Sequence, residues 1–306
     1  MHQLSRRAFG LVFAGSALAQ DNQDTGLTFR SDTREVLLHA TVVDRKGAFV
    51  TDLPREAFKV FEDGVEQKLR IFRREDVPVS MGLVVDNSGS MRRKRKKVED
   101  SAVALVKASN RQDEIFIVNF NDVAYRDADL TSDVKKLEEG ISRIDAKGGT
   151  AMRDAITLSM DYVLAKGKKA KKVLLVITDG DDTASGDSNT LEKLLAKAQR
   201  SEVLIFAIGI LNEEDRRSAK RAERALEMLT KQSGGIAHFP KDVENVEDVA
   251  LQIAREIRSQ YIIAYAPTKP DDGVYRQLKV TVKGSGLTVR TRTGYYAKAD
   301  DKRSSL

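Results

Sequence analysis

The chain has 306 residues, of which 32% are charged and 41% hydrophobic, with no cysteine. That length supports one sizeable α/β core plus a smaller second unit, and the composition is globular rather than disordered or membrane-embedded. Without cysteine there are no disulfides, thiolate metal sites or cysteine nucleophile; the net charge of +6 is spread over mixed-sign segments, which reads as a solvated surface.

Arg6-Arg7 precede an uncharged stretch over residues 8–19, and Ala17-Leu18-Ala19 forms a small-residue cleavage pattern before Gln20. No acidic residue comes before Asp21. A basic start, a short apolar run and a small-residue cut predict a signal peptide over residues 1–19. Ser5-Arg6-Arg7-Ala8-Phe9 is similar to a twin-arginine signal, so the expected product is periplasmic or secreted. Residues 20–28 are polar and read as a flexible linker. No run approaches the roughly 20 apolar residues that span a bilayer, so the mature chain is expected to lack a transmembrane segment.

Apolar side chains recur over residues 35–44 as in a strand, and Arg45-Lys46-Gly47 makes a turn. Further strand signals lie near 48–50, 58–61 and 67–72, with Glu62-Asp63-Gly64 as a hairpin signal between the last two. After Pro78 the pattern changes. Residues 80–85, 115–119, 173–177 and 203–208 are buried-type strands. Between them, Val98, Ala102, Leu105 and Val106 follow a helical period, as do Met152, Ile156, Ser159 and Met160; 191–200, 213–232 and 246–259 are further helices. Alternating strands and helices predict an α/β, doubly wound, mainly parallel sheet with helices on both faces. Residues 119–125, centred on Asn121-Asp122, read as a hairpin adding one antiparallel strand.

Past Gln260 the β pattern returns: a strand at 261–265, a turn-rich loop at 267–273, and a hairpin of 277–282 with 287–293 around Lys283-Gly284-Ser285-Gly286. Each terminal β piece is too small to bury a core alone. Residues 29–77 and 268–297 are therefore expected to meet as a small β-sandwich beside an α/β domain of 78–267, with a flexible tail at 298–306.

Leu83-Val84-Val85-Asp86-Asn87-Ser88-Gly89-Ser90 is an apolar strand running into an Asp-x-Ser-x-Ser loop. A strand-end loop of this kind gathers one carboxylate and two hydroxyls where doubly wound sheets bind ligands. These are hard oxygen donors, suited to Mg²⁺, Mn²⁺ or Ca²⁺. Gly148-Gly149-Thr150 precedes a helix, which makes Thr150 a natural N-cap with its hydroxyl outward. A second strand ends in Thr178-Asp179-Gly180. Together these pieces resemble the metal-ion-dependent adhesion site (MIDAS) of von Willebrand factor A (VWA) domains, and all five positions match: Asp86, Ser88, Ser90, Thr150 and Asp179. The resemblance implies a divalent cation, Mg²⁺ foremost. Ser88 and Ser90 would ligate it directly, Asp86 through water, and Thr150 and Asp179 either way. It also implies an open position for a carboxylate of a partner protein, with Asn87, Met91, Arg92 and Asp181 on the rim. Over roughly residues 30–297, Phe58 to Gln67 and Arg290-Thr291-Arg292-Thr293-Gly294-Tyr295-Tyr296 resemble the bacterial "VWFA-related" group common in Acidobacteria.

Arg92-Arg93-Lys94-Arg95-Lys96-Lys97 reads as the exposed first turn of a helix, and with no nucleic-acid motif present, no nucleic-acid partner is expected. Asp181-Asp182 read as a solvated acidic loop, and His2, His39 and His238 as structural. The chain has no phosphate-binding Gly-x-x-x-x-Gly-Lys-Ser/Thr loop. The expected function is that of an exported, non-enzymatic, metal-dependent protein-binding module. A VWA subunit of an AAA-type ATPase and a metal-dependent hydrolase are the alternatives; the signal peptide opposes the first, and the lack of a positioned general base the second.

Overall fold

The computed structural model describes residues 35–297 other than 75, 144 and 145. The signal peptide, linker and tail expected at 1–19, 20–28 and 298–306 lie outside the described residues. The chain opens with β1 (Val36–Val43), β2 (Phe58–Glu62), β3 (Val65–Gln67) and β4 (Leu69–Arg73). Asp63 and Gly64 both have positive φ (47° and 83°), the two-residue turn that matches strand twist between β2 and β3. The stretch read as one strand at 67–72 is divided at Lys68: β3 pairs with β2, whereas β4 joins another sheet.

Then come β5 (Val79–Asp86), α1 (Arg95–Ala108), β6 (Glu114–Phe120), β7 (Ala124–Thr131), α2 (Val134–Ser142) and α3 (Met152–Lys166). They are followed by β8 (Lys171–Thr178), α4 (Leu191–Arg200), β9 (Val203–Gly209), α5 (Arg216–Ser233), β10 (Ala237–His238) and α6 (Val246–Arg258). Six strands form one sheet in the order β10-β9-β8-β5-β6-β7, parallel except for β7. Every residue of β5 is buried, which is why the strand reads as a continuous apolar run rather than an alternation. Its alternate side chains feed two cores. Met81, Leu83 and Val85 pack with Leu105 of α1, Ile141 of α2 and Ile253 of α6. Val84 packs on the other face with Ile156 of α3, Leu194 of α4 and Leu229 of α5. α2, not among the helices expected from sequence, is only nine residues long, although Val134, Leu137 and Ile141 follow a helical period and Leu137 and Ile141 are buried; Asp133 caps it by accepting a hydrogen bond from the Lys135 N–H.

The last strands are β11 (Tyr261–Tyr265), β12 (Tyr275–Val282), β13 (Thr288–Arg290) and β14 (Gly294–Tyr296). Two antiparallel sheets result, β13-β1-β11-β4 and β14-β12-β2-β3. Leu38 and Ile263 from the first share a core with Val60 and Leu278 from the second. Two expectations are corrected. β11 lies between β1 and β4, so the boundary drawn at 267/268 moves ahead of Tyr261; its side chains Tyr261, Ile263 and Tyr265 are buried in the β-sheet core, not under the six-stranded sheet. Nor do β12 and β13 form a hairpin. β13 pairs with β1 and β12 with β2 and β14, because the loop with Gly284 and Gly286 at positive φ carries the chain across to the other sheet.

Glu62 ties these sheets together. Its buried Oε2 accepts from the hydroxyls of Tyr265 in β11 (2.5 Å) and Tyr295 in β14 (2.9 Å). Glu62→Ala strips the buried Tyr265 hydroxyl of its acceptor and is expected to cost about 2–3 kcal/mol, read as a lower urea midpoint at unchanged slope.

Candidate metal centre

From β5 the chain moves outward to β6 and β7, then returns through α3 to β8 on the other side of β5. The loops leaving the carboxyl ends of β5 and β8 therefore diverge, and they frame a crevice at the point where the winding direction switches. β5 ends on Asp86, and a short 3₁₀ turn, Gly89–Arg93, follows with Ser88 at its N-cap. β8 ends on Thr178, with Asp179 next. The two loops meet through side chains. Ser88 Oγ and Ser90 Oγ are 3.0 Å apart, and Ser90 Oγ donates to Asp179 Oδ1 at 2.8 Å. Asp86 sits behind them, accepting from the Ser88 N–H at 2.8 Å and from Thr178 Oγ1 at 2.6 Å. Asp86, Ser88 and Asp179 are buried, while Ser90 is exposed, so the centre opens to solvent on the Ser90 side.

The third loop is fastened to the first, with the Gly89 N–H donating to Gly148 O at 3.1 Å. Thr150 is buried and held by its backbone: its N–H donates to Thr183 Oγ1, and its carbonyl accepts from the N–H groups of Thr183 and Ala184. The expected N-cap role is corrected, since Ala151 occupies the cap of α3 and Thr150 precedes it. Its hydroxyl is consequently not spent on the helix end.

Burial, reinforced by the neighbouring Asp179 carboxylate, pushes the Asp86 carboxyl up to about 6. Two carboxylates forced together out of water make a place where positive charge is wanted. Lys94 supplies some of it: its Nζ lies 2.8 Å from Asp179 Oδ2 and 3.2 Å from Glu213 Oε2. Among the described residues no group of three or more histidines, aspartates and glutamates is placed to hold a metal. A cation here would rest on hydroxyl and carboxylate oxygens together, a donor set that fits a hard divalent ion.

The family model of the von Willebrand factor type A domain matches residues 81–252, more than half of the chain. The chain belongs to the VWA family. It is 35% identical over 112 residues to mouse integrin alpha-11, covering 35% of this chain and 9% of the integrin. To the human protein it is 40% identical over 88 residues, 28% of this chain and 7% of the other. The chain thus spans less than a tenth of the length of these curated relatives. Among solved structures, a von Willebrand factor type A protein from Catenulispora acidiphila superposes with a TM-score of 0.51 at 13% identity, over 90% of this chain and 76% of that one. Proximal thread matrix protein 1 from the mussel byssus, with a zinc-occupied MIDAS motif, reaches 0.52 at 15% identity, over 65% and 50%. At such identities the likeness shows the fold alone.

Within this VWA chain the expected rim is largely corrected. Met91 is 1% exposed in the core beneath α1, so it offers a partner nothing. Asn87 is buried, pinned by its N–H on Phe120 O and its carbonyl on the Lys147 N–H; its side-chain Oδ1 has no partner. Arg92 is exposed, with a guanidinium contact to Ala146 O at 3.4 Å. Asp181 is partly exposed and ion-paired with Arg221. The acidic loop is also less solvated than its composition implies. Asp182 accepts from the Arg153 N–H at 2.7 Å and from Ser185 Oγ, which fastens the loop to the start of α3. His39 lies buried in β1, where burial and nearby Lys171 and Arg292 hold its imidazole down at about 3, so it stays neutral.

Reading residues 92–97 as a uniformly exposed turn misses Lys94. A signal was present: Lys94 stands three residues after Met91 and four before Val98, both buried, and so lies on the inward face of the turn. Thr178 and Thr183, which position Asp86 and Thr150, were also missed, being common residues in strands and turns.

Proposed function

We propose that this VWA chain is a non-enzymatic binding module acting outside the cytoplasm. Asp86, Ser88, Ser90, Thr150 and Asp179 hold a divalent cation, and the cation's exposed side takes a carboxylate from a partner protein. The observation that carries this reading is the continuous chain Ser88–Ser90–Asp179 backed by Asp86, assembled at the sheet's switch point and open at Ser90. When bound, the cation supplies a Lewis-acidic point for an anionic ligand. The protein orients the oxygen donors and leaves one side accessible.

An all-oxygen donor set favours Mg²⁺, with Mn²⁺ or Ca²⁺ as substitutes. The zinc-occupied MIDAS motif of the mussel byssus protein, which shares this fold, supports a divalent ion at this position. A binding rather than hydrolytic role fits the residues around the centre. Lys94 is ion-paired, and His39 and His238 sit in β1 and β10 rather than in the three loops. Export rests on the pattern of residues 1–19. Among the described residues no helix is long and apolar enough to cross a membrane.

Calorimetric titration of Mg²⁺ and Mn²⁺ tests the metal reading: wild type is expected to bind and Ser88→Ala to bind at least about tenfold more weakly. Equal binding refutes the assignment. A pull-down from envelope extract, with Mg²⁺ or EDTA, should capture a partner only with the metal present. Fractionation that finds an uncleaved cytoplasmic product would sink the export claim.

A further inference from the structure

The six cations after the metal loop are not equivalent. Arg92, Arg93, Lys96 and Lys97 are exposed and Arg95 is half-buried, whereas Lys94 is 4% exposed. Its ammonium lies against Asp179, itself fully buried, and Ser90 Oγ holds the other oxygen of that carboxylate. Lys94 therefore competes for an oxygen that a cation at the proposed site would draw on. The buried charges can be counted. Asp86 and Asp179 ionised would balance a divalent ion, and Lys94 adds one positive charge in excess. Glu213, 56% exposed, faces the same ammonium at 3.2 Å but is screened by solvent and offsets it only in part. Glu214, half-buried with its carboxyl beside Gly180, is a second partial offset at the rim. The buried centre itself, with metal and Lys94, is thus left short of negative charge that one more anion would supply.

Building on the metal-site reading above, we propose that Lys94 is a built-in counter-cation that makes metal and ligand binding depend on each other. It weakens binding of the divalent ion alone and strengthens it once a carboxylate closes the site. By thermodynamic reciprocity, the same residue strengthens carboxylate binding when the metal is present. Glu213 keeps the ammonium near the site while Asp179 turns to the metal.

The test is Mn²⁺ binding by the full chain, followed by loss of the free-ion paramagnetic resonance signal. Acetate serves as the carboxylate probe, with ionic strength matched by chloride. Lys94→Gln keeps a hydrogen-bonding group and removes the charge; it is expected to bind Mn²⁺ about tenfold more tightly than wild type without acetate. Acetate should tighten Mn²⁺ binding in wild type and in Lys94→Arg about tenfold more than in Lys94→Gln, where only its direct ligation of the metal remains. A lysine with a purely structural role would give weaker binding on removal, so the sign decides. Glu213→Gln changes only an exposed partner and leaves Lys94 wholly on Asp179, so it should bind Mn²⁺ about threefold more weakly. That variant decides the matter if Lys94→Gln does not fold. Unchanged or weakened Mn²⁺ binding in folded Lys94→Gln, or unchanged binding in Glu213→Gln, overturns the proposal. Wild type that binds no Mn²⁺ overturns the metal reading, and this inference with it.

Discussion

Asp86→Asn is expected to lose at least about 100-fold in affinity for Mn²⁺, roughly 2.7 kcal/mol, with the fold intact. The side chain keeps its size and can still accept from the Ser88 N–H, but the buried negative charge is gone. Wild-type affinity should carry a matching pH signature. Burial and Asp179 put the Asp86 carboxyl at about 6, against an ordinary value of 3.8. Below about 6 a proton must leave before the cation binds, so affinity falls about tenfold per pH unit; above it this group contributes no slope. The sign for folding is the reverse. Without metal, Asp86 is protonated in the folded chain but ionised in the unfolded chain between 3.8 and about 6, so its contribution to stability is complete below 3.8 and is lost as pH rises through about 6. A bound cation removes that loss, and the rise in melting temperature caused by Mn²⁺ should be larger at pH 7 than at pH 5. An equal rise at both would count against Asp86 as part of the site.

Gly82→Val is expected to destabilise the chain by about 3 kcal/mol or more, a large part of the roughly 5–15 kcal/mol that keeps a domain folded. Gly82 is in the middle of β5, with Phe116 of β6 and Leu174 of β8 as its direct neighbours in register. A Cβ placed there would be 2.4 Å from the Phe116 ring and 2.7 Å from a Leu174 methyl. Neither neighbour has room to retreat. Phe116 is fully buried and packs edge-on against Tyr162 at 4.9 Å, and the Tyr162 hydroxyl is held by Asp129 at 2.9 Å. Gly82→Ala should show a smaller loss in the same urea titration. A midpoint unchanged in both variants would contradict the packing described for β5.

The sequence by itself determined the α/β class and the residue types at the strand ends. A strand buried on both faces must be apolar throughout, so the runs that became β5, β8 and β9 were visible without any partner, and so was a polar Asp-x-Ser-x-Ser segment abutting one of them. Side-chain chemistry at Asp86, Ser88, Ser90, Thr150 and Asp179 was legible for the same local reason. Only the tertiary structure decided what depends on distant pairing or on helix rotation. β11 could be seen as a strand, but whether it joins the sheet before it or the strands at both termini rests on registers spanning more than 200 residues, such as Val36 with Tyr265. β12 and β13 look like a hairpin because each alternates, yet their hydrogen bonds go to different sheets. Around the site, composition made Lys94 one of six equivalent cations and Met91 a rim residue. The docking of α1 on the sheet turned both inward, placing one beside Asp179 and the other in the core. Local patterning records whether a residue can be buried; the rotation of a helix against its sheet determines what it is buried against.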